Sequence, residues 1–103
     1  MKSRFILSPE AVDDLASIWQ YIQAQSSFEI ADRVESVIRD RILFLALNPR
    51  AGHKRKDLTD LPVRFFPVYS YLIVYHPETK PLRVVAILQG RRDVGKLLQK
   101  RPS

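Results

Sequence analysis

The chain contains no cysteine and only two histidines, His53 and His76. Without cysteine there is no disulfide framework and no thiolate nucleophile, and few imidazoles are available as zinc ligands. No run of about 18 apolar residues occurs, and the apolar stretch near the amino terminus is too short for a signal peptide. We therefore expect a cytoplasmic protein with no membrane segment, no metal site and no cofactor.

Positive charge is in excess and is unevenly distributed. The 17 Lys and Arg residues oppose 11 Asp and Glu residues, which gives a formal net charge of +6. Residues 8–40 are mixed in sign or acidic, whereas basic residues crowd the second half. Such a balance favours nucleic acid, an acidic protein or an anionic surface as partner, without choosing between them. The length fits one domain, residues 1–103.

Two helices are predicted in the first half of the chain. Ser8 followed by Pro9 is a strong helix start, and apolar residues at helical spacing continue to about Gln25. Ser26 with Glu29 three residues later matches a capping box, so a second helix begins almost at once and ends at Asn48-Pro49. The predicted inner stripes are Val12, Leu15, Ile18, Trp19 and Ile22 on the first helix, and Ile30, Val34, Val37, Ile38, Ile42 and Leu45 on the second.

Apolar residues nearly encircle the last turns of the second predicted helix. Leu43, Phe44 and Leu47 lie outside its inner stripe. Either this helix end sinks between the first helix and the sheet, or its extra apolar surface forms a docking groove for a partner. Trp19 has the same two interpretations, as a core aromatic or as part of that groove.

Four strands are predicted. They are Arg4–Leu7, Val63–Pro67, Tyr71–His76 and Leu82–Leu88. The last is almost wholly apolar, as expected of an interior strand covered on both faces, and it is the natural neighbour of the first. The expected fold is therefore α+β in the order β-α-α-β-β-β: a helical hairpin packed on a small twisted four-stranded sheet, with a short carboxy-terminal tail or helix.

A cluster of charge follows the interior strand. Gly90 ends that strand, and Arg91, Arg92 and Asp93 come directly after it. We expect these side chains to form a rim at one end of the sheet, to which Arg64 on an adjoining strand adds a third fixed positive charge. In the alternative, Arg92 and Asp93 pair with surface neighbours, a contact worth about 0–1 kcal/mol.

The sequence also permits contact with RNA. Cleavage of RNA through its own 2′-hydroxyl needs a base, an acid and donors for the phosphorane charge. Strand alternation offers Tyr71, Tyr75 and Arg83 on one face, which can equally stack single-stranded bases. The run from His53 to Lys56 is either a solvated loop or an anion contact.

Four segments in this order, SPEAVDDLASIWQYI, ALNPRAG, RFFPVYSYLIVYHP and VVAILQGRRDV, carry a family resemblance. Over about residues 4–94 the chain resembles the ParE branch of the RelE/ParE superfamily of bacterial toxin-antitoxin toxins. The resemblance implies an α+β fold and an antitoxin encoded beside the toxin gene.

The two branches of the superfamily imply different activities. RelE-type members cut messenger RNA on the ribosome, but this chain has Leu72 where their YRLVY-like strand carries arginine, and Leu97 and Leu98 where an aromatic acid-base group is expected. ParE-type members bind DNA gyrase and trap it on cut DNA without catalysis. Arg64 in RFFPV, and Arg92-Asp93 after Gly90, match the ParE pattern.

The resemblance therefore predicts a growth-inhibiting toxin that binds DNA gyrase, has no catalytic residues and forms a hetero-oligomer with a ParD-like antitoxin. The predicted target-binding residues are Arg64, Arg91, Arg92 and Asp93. The predicted antitoxin-binding residues are Leu15, Trp19, Ile22, Val37 and Phe44. The alternatives are a ribosome-dependent mRNA endonuclease, with Arg91, Arg92 and Tyr75 as catalytic candidates, and a non-toxic basic RNA-binding module.

Overall fold

The order of elements is the predicted one, followed by a short helix. The computed structural model describes residues 4–101, so Pro102 and Ser103 of the predicted tail lie outside the described residues. The elements are β1 (Phe5–Leu7), α1 (Pro9–Gln25), α2 (Phe28–Leu47), β2 (Arg64–Val68), β3 (Tyr71–His76), β4 (Leu82–Gln89) and α3 (Val94–Gln99). The predicted α+β class is confirmed. No helix within residues 4–101 is long and apolar enough to cross a bilayer.

The sheet has the strand order β1-β4-β3-β2. As predicted, β4 is interior and pairs with β1, in parallel, while β4–β3 and β3–β2 are antiparallel. Because β1 spans only three residues, it covers β4 only from Leu82 to Val84. Beyond that point the edge of β4 is occupied by side chains: Ser8 Oγ donates to Val85 O (3.3 Å), and Asp14 Oδ2 accepts from Ile87 N (3.0 Å).

A β-bulge lies in the middle of β4. Tyr75 faces Val84 and Val74 faces Ala86, so Val85 has no partner of its own on β3. The extra residue reverses the alternation of side chains along the strand. Leu82, Val84 and Ile87 therefore join the core beneath the helices, whereas Val85, Ala86 and Leu88 join a second core on the opposite face.

Both faces of the sheet are covered, which explains why β4 is almost wholly apolar. The helical hairpin packs on one face, where Ile38, Ile42 and Leu45 of α2 are fully buried. The other face is covered by the segment 58–63 and by α3, which buries Val94 and Leu98. The carboxy-terminal segment is therefore a short helix that completes the second core.

The start of α2 differs from the predicted capping box by one residue. Ser27 is the N-cap, and its hydroxyl accepts from Ile30 N (3.2 Å). Ser26 instead ends α1, and Glu29 lies too early in the helix to bond back as a capping-box partner. Either of the two adjacent serines can cap a helix, so the sequence predicts the start of α2 only to within one residue. The predicted cap at Ser8 is confirmed by its bond from Ala11 N (3.0 Å).

The buried face of each helix includes an alanine that the prediction omitted. Val12 and Ile30 are exposed, whereas Ala11 and Ala31 are fully buried. A search for large apolar side chains misses alanine, although its small side chain suits positions where a helix approaches its neighbours closely. The rotation of each helix was therefore predicted only approximately.

Candidate target-binding rim and partner groove

The end of the sheet at Gln89 presents two fixed positive charges. Gly90 N donates to Ser70 O (2.9 Å), which ties the end of β4 to the β2–β3 turn, and Arg92 N donates to Gln89 O (3.1 Å), which closes a tight turn directly after the strand. Arg91 and Arg92 are exposed, and within residues 4–101 neither guanidinium makes an ion pair. The alternative pairing of Arg92 with a surface carboxylate is therefore not observed among these residues.

Asp93, the residue after the two arginines, is the N-cap of α3. Its carboxylate accepts from Lys96 N (3.1 Å) and caps α3. A residue that caps a helix immediately after the two arginines also fixes the direction in which the chain leaves the sheet. The rim is thus held by β4 on one side and by α3 on the other.

Arg64 does not belong to this rim, and the predicted group of three charges is wrong. Arg64 pairs with Tyr75 at the start of β2, whereas Gln89 pairs with Tyr71 at the other end of β3. Four residues of strand separate these positions, about 13 Å at 3.3 Å per residue. The reason is the topology of the sheet, in which β3 lies between β2 and β4. Because β2 and β4 run in the same direction, the start of β2 and the end of β4 lie at opposite ends of the sheet. Arg64 Nη1 instead donates to Gly52 O (2.8 Å).

Tyr75 lies at the Arg64 end as well, so the structure does not bring it together with Arg91 and Arg92. Its ring is fully buried, and its hydroxyl donates to Pro49 O (2.7 Å) and accepts from Gly52 N (2.9 Å). Burial raises the pKa of this phenol, opposed by the bond from Gly52 and the charge of Arg64. A side chain added at Gly52 would collide with the phenol. Tyr75 therefore locks the loop after α2 onto the sheet.

We expect Tyr75→Phe to lower the free energy of unfolding by about 1–3 kcal/mol, because the buried Gly52 N–H loses its acceptor and Pro49 O loses a donor. Urea denaturation measures the change. Tyr21→Phe, which removes a phenol from a side chain that is 59% exposed, is the matched control and should be close to neutral. Equal stability of the two variants would contradict the structural role.

The predicted face of Tyr71, Tyr75 and Arg83 does not exist as an exposed surface. Both tyrosines pack into the core beneath the helices, while Arg83 pairs with His76 and therefore lies on the other face. Bases cannot stack on the buried rings. The pKa of His76 is lowered by burial and then by the charge of Arg83, against a backbone contact at Pro62 that raises it.

The basic run from His53 to Lys56 is an exposed loop beside the start of β2. His53 exchanges two backbone hydrogen bonds with Phe65 (2.8 Å each), which anchors the beginning of the loop. Arg55 pairs with Asp57 (2.8 Å), and both side chains are well exposed. The positive charges of this loop therefore lie at the end of the sheet opposite to Gln89.

A cleft opens between α1 and the end of β4, next to the rim. Its volume is about 400 Å³. Ile18 and Tyr21 line it from the helix, Tyr71 and Gln89 from the sheet, and Arg92 from the rim. The cleft is formed by the packing of α1 on β4, and its lining residues lie about 70 positions apart in the sequence. No local sequence pattern therefore predicts it.

A larger apolar groove lies at the opposite end, where the last turns of α2 meet β1. It encloses about 710 Å³ and is lined by Ile6, Ala46, Pro49, Pro81 and Leu82, with Arg4, Thr79 and Lys80. The same turns of α2 expose three further apolar side chains: Leu43 (41%), Phe44 (43%) and Leu47 (57%). The last turns of α2 are thus only partly buried against the sheet.

The predicted antitoxin-binding residues differ in their exposure to solvent. Leu15 is only 4% exposed inside the core, which leaves little of its side chain for contact with a partner. Trp19 is half-buried; its Nε1 donates to Asp32 (2.8 Å), and its ring packs on Phe28 (5.6 Å between centroids). Ile22 and Val37 are also half-buried. Phe44 is exposed and packs against Phe66.

The chain combines a helical hairpin on one face of a four-stranded mixed sheet with two exposed arginines directly after β4. A sequence model of one protein family, the ParE toxin of type II toxin-antitoxin system, parDE, matches residues 5–94. The chain therefore belongs to the ParE toxin family, as the resemblance predicted.

Among solved structures, the chain is similar to a chain of the "Chromosomal ParDE TA system from P. aeruginosa". The TM-score is 0.69 and the sequence identity 17%, over 84% of this chain and 98% of that chain. At this identity the likeness concerns the fold. None of the curated proteins matches the chain.

Proposed function

We propose that this chain inhibits growth by binding DNA gyrase and blocking its cycle, and that a cognate antitoxin neutralises it. The observation that carries the proposal is the rim: Arg91 and Arg92 are exposed, fixed by β4, and without an ion pair among residues 4–101. Arginines directly after a strand suit a binding surface, because their backbone position is held by the sheet while their guanidinium donors are available to a partner.

A binding activity is favoured over catalysis by the residues around the rim. Strand cleavage needs an acid and a base within hydrogen-bond reach of the reacting phosphate. Asp93 is engaged in capping α3, and Tyr75 is buried at the other end of β3. Leu97 and Leu98 occupy the region where the RelE pattern expects an aromatic group, and Leu98 packs into the second core.

We place the antitoxin on the apolar groove and on the exposed last turns of α2. Leu43, Phe44 and Leu47 on the last turns of α2 are exposed, and so is Ile6, which lines the groove beside them. The outer side of β1 is a sheet edge beside this groove, so a partner can add a strand and lay an amphipathic helix next to it. Membership of a toxin-antitoxin family supports the presence of such a partner.

The test combines purified protein with gyrase and plasmid in one reaction, and with ribosomes and messenger RNA in another. We expect cleaved plasmid to accumulate in the first and the message to stay intact in the second. Adding the small acidic protein encoded beside this gene should suppress the plasmid cleavage. Codon-spaced cuts in the message with an unaffected gyrase would overturn the proposal and support the endonuclease alternative.

A further inference from the structure

Tyr69, in the turn between β2 and β3, has a backbone conformation that tyrosine rarely adopts. Its φ is +54°, in the left-handed region, and its side chain is 59% exposed. This region is disfavoured for a residue with a β-carbon, whereas glycine or asparagine occupies it readily. Such turns usually carry those residues. An exposed aromatic residue therefore occupies a position where glycine or asparagine would make the fold more stable. Residues held in disfavoured backbone conformations cluster at functional sites.

The turn that holds Tyr69 is joined to the rim. Ser70 O accepts from Gly90 N (2.9 Å), so the tyrosine lies beside the segment that carries Arg91 and Arg92. The cleft between α1 and β4 opens at the same end of the sheet, and it includes Arg92. One end of the molecule thus combines an exposed tyrosine, two arginines and a cleft.

The charge of the cleft is positive despite the acidic residue within it. Asp14 is bonded by both Nη atoms of Arg101 (2.7 and 2.8 Å) and by Ile87 N (3.0 Å), so its carboxylate is already neutralised. The guanidinium of Arg92 has no such partner among residues 4–101. An acidic group of a partner therefore meets an uncompensated cation at the mouth of the cleft.

We infer that Tyr69, Arg91, Arg92 and the cleft form one protein-docking surface, which takes an acidic segment of the target protein and holds an apolar or aromatic side chain of that segment in the cleft. The inference rests on the proposed function and names its contact surface. Tyrosine and arginine are the residue types that dominate binding energy at protein interfaces. A volume of about 400 Å³ is within the range of pockets that hold a side chain or small ligand.

A protein fits this surface better than nucleic acid does. Binding along a phosphate backbone uses a row of cations, each of which displaces a counterion. Here Arg91 and Arg92, which make no ion pair among residues 4–101, lie beside a recessed cleft, and the carboxylate of Asp93 interrupts the positive charge directly after them. The continuous run of basic residues, Lys54 to Lys56, lies beside the start of β2 instead.

Tyr69→Asn tests the surface, because asparagine tolerates the left-handed conformation and removes the ring. We expect unfolding stability equal to or above that of the wild type, unchanged antitoxin binding, and at least a tenfold rise in the amount of protein needed to arrest growth. Phe28→Ala is the control, since Phe28 is equally exposed (61%) but lies at the start of α2; its toxicity should be unchanged. Tyr69→Phe should keep most of the activity.

The outcomes separate the inference from the proposed function. A wild-type chain that does not arrest growth would defeat the proposed function itself. A toxic wild type with an equally toxic Tyr69→Asn variant would overturn the inference alone. Binding of both proteins to isolated gyrase subunits and to a DNA duplex then identifies the partner: weaker binding of the variant to the protein supports the inference, and weaker binding to the duplex alone overturns it.

Discussion

Replacing Arg91 and Arg92 together by alanine is expected to abolish growth inhibition and to weaken target binding more than 100-fold, while unfolding stability stays within about 0.5 kcal/mol of the wild type. Arginine hot spots each contribute about 2 kcal/mol or more to an interface, and a factor of 100 corresponds to about 2.7 kcal/mol. The fold is unaffected because both side chains are exposed and make no ion pair within residues 4–101.

The control is the Lys54→Ala/Lys56→Ala variant, which removes the same two positive charges from an exposed loop. We expect it to remain toxic and to bind antitoxin normally. If both double variants lost toxicity equally, net charge rather than the rim would be responsible. Full toxicity of the arginine variant would eliminate the rim as a target contact.

Arg101→Met should lower the free energy of unfolding by about 2–3 kcal/mol, less than the range for a fully buried ion pair because this pair is only partly buried. Arg101 makes two bonds to Asp14 and a third to Val85 O (3.2 Å), and the two side chains are only 18% and 14% exposed. Methionine keeps much of the side-chain volume but leaves the carboxylate without its counter-charge. The hydrogen bond of the pair also raises the pKa of Arg101.

Urea denaturation of both proteins measures this change, with Lys100→Met as the control because Lys100 is adjacent and exposed. A loss below about 0.5 kcal/mol would show that the tail contributes no stability through this pair. Arg101→Lys should recover only part of the loss, since an ammonium cannot bond both carboxylate oxygens in the fork geometry of a guanidinium.

The elements of the fold were predictable because local signals agree with tertiary packing. Ser8-Pro9, Asn48-Pro49 and the apolar run from Leu82 each mark a boundary that the structure retains. Each signal acts within a few residues, through a cap, a blocked helix or a strand covered on both faces. The pairing of β1 with β4 was also predictable, because an interior strand accepts a neighbour on each edge.

The arrangement of the candidate site was predicted less well, because it depends on which ends of the strands meet. Arg64 was placed with Arg91 on the assumption of neighbouring strands, and the intervening β3 separates them. Arg83 was assigned to the face of Tyr75, although its pairing with His76 puts it on the other. The sequence gives no sign that Tyr69 is unusual. Its unusual feature is a positive φ, which tyrosine rarely adopts and which the sequence therefore does not predict.

The side chains that fill the edge of β4 beyond β1 also limit how these molecules can associate with one another. An uncovered strand edge is a template on which a second chain can grow a continuous sheet, the first step of aggregation. Here Ser8 and Arg101 occupy Val85 O, and Asp14 occupies Ile87 N. A neighbouring strand finds these backbone groups already bonded. Among residues 4–101, the strand edge left for intermolecular pairing on this side is the three-residue β1, and so short an edge strand disfavours edge-to-edge association.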